Sequence, residues 1–163
     1  MQDLGSMAQS VAAKLKERGE TVSVTESSGG GLISAALLSI PGASAYFMGG
    51  GVIYTHEARR GLLGVPEEAM SGLRSSTEPY AHLLATRMNG ILGTTWTVSE
   101  TGASGPAGNS YGDKPGHSCI AVVGPLKRTM TLETGDDDRV ANMWVFARTA
   151  LDFLEQCIDD TAD

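Results

Sequence analysis

A run from β-branched residues into three consecutive glycines constrains this chain more than any other stretch. Thr21 to Glu26 alternates like a strand, Ser27 to Gly31 breaks the pattern, and a helix is expected from about Gly29 to Leu38. Such a turn places backbone N–H groups and two serine hydroxyls at a helix N-terminus, where the helix dipole favours an anion. The stretch predicts either an anion-binding site or a connection that only lets a helix pack close to a sheet.

Length and charge limit the remaining possibilities. The 163 residues are predicted to form one domain over residues 1–163, and 41% hydrophobic with 19% charged residues is typical of a globular protein rather than a disordered one. The net charge is −7, and the sequence has no cluster of lysine and arginine that could bind along a nucleic-acid phosphate backbone. We therefore expect no direct nucleic-acid partner.

The two cysteines, Cys119 and Cys157, are far apart and lack the spacing of metal ligands. They are interpreted as buried thiols of a reducing compartment, and we expect neither a metal nor a cofactor. No apolar run has the length of a membrane span, and residues 1–20 are amphipathic and charged, unlike a signal peptide. The sequence predicts a cytoplasmic protein without a membrane partner.

Hydrophobic periodicity and turn residues divide the rest of the chain into alternating helices and strands. The expected elements are a helix from Leu4 to Arg18, strands at 46–54, 94–99, 118–123 and 128–133, helices at 56–63 and 78–92, and a last helix from near Asp136. This order predicts an α/β sheet between helices, mostly parallel, with about five strands and one antiparallel strand from a hairpin at Gly124-Pro125.

Polar residues gather where the predicted strands end, which is where ligands bind in such sheets. They follow the first strand, the strand ending at Tyr54 and the strand ending near Ser99, and the last of these leads into a long polar loop, 103–116, that indicates function or mobility. We expect one cleft to combine candidates from all three loops: Glu26, Ser27, Ser28, Tyr54, Thr55, His56, Arg59, Arg60, Thr101, Ser104, Asn109 and Lys114.

A serine at a glycine-rich helix start has donors for an oxyanion, but a nucleophile also needs a group that takes its proton. Each candidate has a plainer interpretation beside this one. Ser27 or Ser28 would simply cap the helix, Tyr54 would be an aromatic residue at a strand end, and His56 would be an ordinary surface histidine.

The motifs, taken together, resemble the C-terminal domain family of the competence/damage-inducible protein CinA. The resemblance follows order and spacing over nearly the whole chain, in the segments 25–33, 41–47, 50–59, 62–65, 77–79, 101–106 and 114–116. It implies a three-layer α/β/α fold around a mixed sheet, and oligomers. Family members include nicotinamide mononucleotide (NMN) deamidases, which hydrolyse the carboxamide of NMN to the acid and ammonia.

The resemblance also implies roles for residues of this chain. The family's proposed serine nucleophile falls on Ser27, its tyrosine on Tyr54, and the hydroxyl residue that opens the Thr-Gly-Ile-Ala-Gly-Pro loop on Thr101. We therefore predict these three as catalytic. The predicted substrate-binding residues are Glu26, Ser28, Gly30, Gly31, Arg59, Ser104 and Lys114.

Three positions depart from the family pattern. Arg59 replaces the lysine expected to assist the serine, Gly29 replaces a threonine, and Asp137 replaces the arginine of a Gly-Asp-Arg segment. Arginine stays protonated and cannot act as that base, although its guanidinium binds phosphate. Asp137 would repel a phosphate if it faced the cleft.

Three hypotheses follow from these residues. The chain is an amidohydrolase of the NMN deamidase kind, or one that acts on another amide, in which His56, Lys114 or a water-linked Glu26 replaces the base. Alternatively, it is a catalytically impaired member that binds a nucleotide-like ligand or a protein partner. The third possibility is a purely structural subunit of a homo-oligomer.

Overall fold

The structure is a computed structural model that describes residues 1–161. Residues 1–161 form five helices and five strands, with 3₁₀ turns at Ala43–Ala45 and Glu67–Met70. In order they are α1 (Leu4–Arg18), β1 (Val22–Glu26), α2 (Leu32–Leu38), β2 (Phe47–Val52), α3 (His56–Leu63), α4 (Glu78–Leu92), β3 (Trp96–Ala103), β4 (His117–Val123), β5 (Arg128–Glu133) and α5 (Arg139–Asp159).

The five strands form one mixed sheet in the order β2-β1-β3-β4-β5. The pairings of β1 with β2 and with β3 are parallel, whereas β4 pairs antiparallel with both β3 and β5. The predicted α/β class and strand number are confirmed. The expectation of a mostly parallel sheet holds only in part, because four strands share a direction but half of the pairings are antiparallel.

Helices cover both faces of the sheet, so the fold has three layers. On one face α1, α2 and α5 pack against each other and against the sheet, and on the other α4 crosses β1, β3, β4 and β5, with α3 beside it. Strand alternation sends Val24, Val98 and Ile120 into the first layer, where they meet residues of α1 and α5 such as Leu15 and Leu154. Burial of this apolar surface is the main contribution to stability.

The boundaries of several elements match those predicted from local signals. Helix α3 begins after Thr55, whose hydroxyl accepts the N–H of Ala58, and it ends at Gly64 in the left-handed conformation. Helix α4 has the same arrangement, with Thr77 as its N-cap and Gly93 at its end.

Three predicted boundaries were wrong by about three residues or more, and the ends of β2 and the start of β3 differ by one or two residues. Helix α2 begins at Leu32 rather than near Gly29, because Gly30 and Gly31 adopt positive φ angles of 65° and 100° and form a turn. Strand β3 continues to Ala103, since pairing with β4 extends that far. Helix α5 begins at Arg139, because the Asp138 side chain accepts the N–H of Ala141 and caps the helix there.

The long loop between β3 and β4 is held by a polar cluster. Asp113 accepts hydrogen bonds from Arg74 Nη1 at 2.7 Å and from Asn109 Nδ2 at 2.7 Å. The Arg74 guanidinium also lies 5.1 Å from the centre of the Tyr111 ring. These contacts fix the loop over the carboxyl ends of β1 and β3.

None of the helices in residues 1–161 combines the length and the apolar character that a membrane span requires.

We expect Gly102→Ala to lower the free energy of unfolding by about 2–3 kcal/mol, because a Cβ atom there would clash with the His117 carbonyl oxygen and overpack two strands. Gly61→Ala is the matched control, since Gly61 lies in α3 with open space around it and alanine should raise stability there by about 0.5–1 kcal/mol. Urea denaturation followed by circular dichroism measures both. Equal effects of the two substitutions would contradict the close approach at Gly102.

Candidate active site

The three residues predicted as catalytic line one cavity at the edge where β1, β2 and β3 end. Ser27 directly follows β1, and Tyr54 lies two residues after β2. Thr101 lies near the carboxyl end of β3. Because the three strands are parallel, their carboxyl ends meet at the same edge. The cavity has a volume of about 240 Å³, and its lining also includes Thr55, His56, Ser75, Ser76, Asn109 and Tyr111.

A second cavity, of about 170 Å³, adjoins the first and shares Tyr54, Gly102 and Asn109 with it. Its other walls include Ser28, Ser104 and Arg139. We call the two cavities together the Tyr54 cleft. Tyr54 lines both compartments, and because it is 62% exposed its ring is free to contact a ligand.

The turn from Ser27 to Gly31, here called the glycine turn, directs its backbone donors to a buried carboxylate. Glu100 Oε2 accepts the N–H of Ser27 at 3.1 Å and the N–H of Gly29 at 2.8 Å. Its other oxygen accepts the hydroxyls of Ser28 and of Ser118, the latter at 3.0 Å. Glu100 is fully buried, and these donors replace the water that its charge loses.

A second buried carboxylate occupies the N-terminus of α2. Glu26 accepts the N–H of Ile33 on one oxygen at 3.1 Å and that of Ser34 on the other at 3.0 Å. Burial raises the pKa of Glu26, the two backbone hydrogen bonds lower it, and the charge of Glu100 raises it further, with a raised pKa as the result. The anion that the sequence places at this helix start is therefore one of the protein's own side chains.

The structure separates the predicted substrate-binding residues into two groups. Ser28 and Ser104 line the Tyr54 cleft, although the Ser28 hydroxyl is committed to Glu100. The others lie outside it: Glu26 is buried under α2, Gly30 packs beside Met143, Gly31 caps α2, and Arg59 and Lys114 line other cavities.

The Ser27 hydroxyl is half-buried and has no hydrogen-bond partner within residues 1–161. Thr101 Oγ1, by contrast, accepts the N–H of Ser76 at 3.2 Å. The Thr101 hydroxyl can therefore still donate its own proton to a group in the cleft. The Ser27 hydroxyl can donate to a ligand in the cavity and accept from it.

Arg59, which the motif resemblance aligns with a lysine, does not line the cavity that holds Ser27. Its side chain is 2% exposed, and Nη2 donates to Glu67 Oε1 at 2.8 Å. Arg60 binds the same carboxylate at 2.9 Å, and the two arginines lower the pKa of Glu67, with Arg60 the larger cause. Arg59 borders a neighbouring cavity of about 300 Å³ together with His56.

Lys114 and Asp137 both border a wide, open cavity of about 1050 Å³ on the other side of the 103–116 loop. Asp113, Glu133 and Asp136 also line it, so its charge is mainly negative. Asp137 does not line the Tyr54 cleft. The repulsion expected if Asp137 faced a phosphate in that cleft therefore does not apply.

Arg139 is a cation of the cleft that the predicted site residues do not include. It is the first residue of α5, directly after the cap Asp138, and two positions after Asp137. Its Nη1 donates to the Gly105 carbonyl at 2.5 Å, and its Nη2 lies 3.5 Å from Tyr54 Oη. The sequence contained a signal for this position: Asp138 is a typical N-cap residue, and a cap at Asp138 makes Arg139 the first residue of the helix.

Comparison with known proteins identifies a family over almost the whole chain. The family model for the CinA C-terminal domain matches residues 4–158. A CinA-like protein from Synechocystis sp. is 34% identical over 95% of this chain, and one from Desulforapulum autotrophicum is 32% identical over 93%. This chain spans 38% and 36% of those two relatives, respectively, or roughly a third of their length.

Solved structures have the same fold. The competence/damage-inducible protein CihA from Agrobacterium tumefaciens superposes with a TM-score of 0.87 at 29% identity, covering 96% of both chains. A CinA superfamily protein from Klebsiella pneumoniae superposes with a TM-score of 0.90, covering 98% of this chain and 99% of that one, although only 24% of residues are identical. The resemblance predicted from the motifs is confirmed.

We expect Glu100→Ala to lower the free energy of unfolding by about 3 kcal/mol or more, because it leaves two N–H groups and two hydroxyls without their acceptor. Glu68→Ala removes an exposed carboxylate and serves as the control, with an expected change within about 0.5 kcal/mol. Thermal and urea unfolding measure both variants. A Glu100→Ala protein as stable as the control would show that Glu100 does not hold the glycine turn.

Proposed function

Because the chain belongs to the CinA C-terminal domain family, we propose that it is an amidohydrolase of the nicotinamide mononucleotide deamidase kind. The observation that carries the proposal is the single cleft shared by Ser27, Tyr54 and Thr101, with Arg139 on its wall. The substrate is a small nucleotide-like molecule with a carboxamide. Its amide occupies the compartment of Ser27, and its anionic group occupies that of Arg139.

In the proposed reaction, Ser27 Oγ attacks the carboxamide carbon and loses its proton. The general base passes this proton to the amide nitrogen, the C–N bond breaks, ammonia leaves, and an ester links the acyl group to the serine. Water hydrolyses this ester to the free acid and restores the hydroxyl. Thr101 donates its hydroxyl proton toward the developing oxyanion, and Tyr54 orients the ring that carries the amide.

The proposal assigns the general base to His56. Of the three groups considered as substitutes for the family lysine, His56 is the one that lines the same cavity as Ser27. Lys114 borders the open acidic cavity, and each oxygen of Glu26 already accepts a backbone N–H. An exposed imidazole at the start of α3 can take the serine proton directly or through one water.

A second function has an observation in its favour. Ser27 Oγ contacts no basic group within the described chain, and the residue at the lysine position is bound to Glu67. A serine without a basic partner is also what we expect of a family member that binds a nucleotide-like ligand and does not hydrolyse it. Calorimetric binding of NMN without ammonia release would identify it.

We expect the wild-type protein to release ammonia from NMN and Ser27→Ala to lose at least about 10³-fold in rate, because the nucleophile is removed. His56→Gln should lose about 10²-fold, as is typical of a missing general base. His82→Gln, on α4 and outside the cleft, is the control. Release of ammonia by Ser27→Ala at the wild-type rate would overturn the assignment of the nucleophile.

The anion anchor has a separate test. Arg139→Ala should weaken binding of NMN about tenfold or more, since it removes charged hydrogen bonds, and should change binding of the dephosphorylated riboside by less than about twofold. Arg148→Ala, an exposed arginine on the same helix, is the control. Calorimetry with both ligands measures the difference. Equal losses for NMN and the riboside would exclude Arg139 as a phosphate anchor.

A further inference from the structure

His117, the first residue of β4, has a hydrogen-bond acceptor at each ring nitrogen. Nδ1 lies 2.5 Å from Glu133 Oε1, and Nε2 lies 2.8 Å from the Ser76 carbonyl oxygen. A neutral imidazole has one N–H donor, so both bonds form together only when the ring carries two protons. The side chain is 9% exposed, and the geometry therefore favours a buried imidazolium.

The groups around the ring favour the same state. Burial lowers the pKa of His117, but the hydrogen bonds to Glu133 and to the Ser76 carbonyl outweigh it, so that the pKa is raised. The Asp113 carboxylate, 3.7 Å away, raises it further and is itself bound to Arg74 from the loop before α4. The other titratable neighbours are Cys119 on β4, 3.6 Å from Nε2, and Glu78 of α4 beyond it.

The Ser76 peptide connects this histidine to the Tyr54 cleft. The Ser76 carbonyl accepts from His117 at 2.8 Å and from the Cys119 thiol at 3.5 Å, and the Ser76 N–H donates to Thr101 Oγ1. Ser76 has a φ of 61°, a conformation that no other non-glycine residue adopts within residues 1–161. Such a backbone persists only when its surroundings hold it in place, and here the short bond from His117 and the bond to Thr101 do so from opposite sides, since a thiol is a weak donor.

We propose that His117 is a positioning residue that holds the Ser76 peptide in place and thereby directs the Thr101 hydroxyl into the cleft. When the ring loses a proton, the remaining N–H stays on the charged Glu133, because a bond to a carboxylate is stronger than one to a carbonyl. The Nε2 lone pair then faces the Ser76 carbonyl oxygen. The two acceptors repel, the peptide keeps only the weak thiol donor of Cys119, and the Thr101 hydroxyl loses its fixed direction.

Nuclear magnetic resonance of the wild-type protein tests the coupling without any assay of activity. The three histidine rings, His56, His82 and His117, are followed with the backbone amides of Ser76 and Thr101 as pH is raised. We expect His117 to titrate above its ordinary value of about 6.5, with the Ser76 and Thr101 amides moving at the same midpoint. A Ser76 amide that does not follow His117, or a His117 midpoint at or below that value, would overturn the proposal.

His117→Gln provides the matched variant, because its amide donates to the Ser76 carbonyl at every pH. The Ser76 and Thr101 amides should then stay fixed over the same range, while His82→Gln leaves their titration unchanged. Thermal stability is the second measurement. Since the pKa is raised on folding, the stabilising effect of His117 is full below its unfolded pKa and is lost as pH rises through the folded one. A stability profile with the same pH dependence in His117→Gln would count against the proposal.

The catalytic consequence rests on the proposed hydrolase function. In that reaction, kcat should fall about threefold to tenfold across the His117 titration, equivalent to one lost hydrogen bond, with a smaller change in KM. His117→Gln should lack this dependence. If no variant releases ammonia, the hydrolase proposal fails, but the amide titration still decides whether His117 positions Ser76 and Thr101.

Discussion

The hydrogen bonds that converge on the buried Glu100 carboxylate determine how the functional edge of the sheet is built. Glu100 lies on β3, and its donors come from the glycine turn after β1 and from Ser118 on β4. A buried carboxylate is costly unless donors surround it. Backbone donors cannot be moved without moving the chain, so the position of Ser27 relative to Thr101 follows from how Glu100 is satisfied. The geometry of the site thus depends on Glu100, which does not line the cavity that contains Ser27.

The fold could be predicted from the sequence wherever local signals decide it. Caps and apolar periodicity define α3, α4 and β5 at the residues expected. Two of the three misplaced boundaries depend on distant partners. Helix α2 starts late because the glycine turn gives its N–H groups to Glu100, and β3 runs on to Ala103 because β4 pairs with it. The start of α5 follows from which of three consecutive aspartates caps the helix, and their composition alone does not specify that.

The candidate site shows the same division. Ser27, Tyr54 and Thr101 could be placed together because parallel strands end at one edge. Glu100, Arg139 and His117 could not, since their positions depend on which residues of β3 and β4 pair and on α5 starting later than expected. A signal for Glu100 was present: period two places it on the same face of β3 as Trp96 and Val98, which pack in the apolar layer of α1, α2 and α5.

The pairing of Arg59 with Glu67 has a consequence for the charge that position 59 can carry. Glu67 serves two arginines, Arg59 and Arg60, and lies within 3 Å of both guanidinium groups. A lysine at position 59 would meet the same carboxylate, and a neighbouring opposite charge keeps an amine protonated. Positions 59 and 67 are therefore coupled through charge. A neutral amine at position 59 would require a change at both positions, and a change of Arg59 alone would leave a protonated amine paired with Glu67.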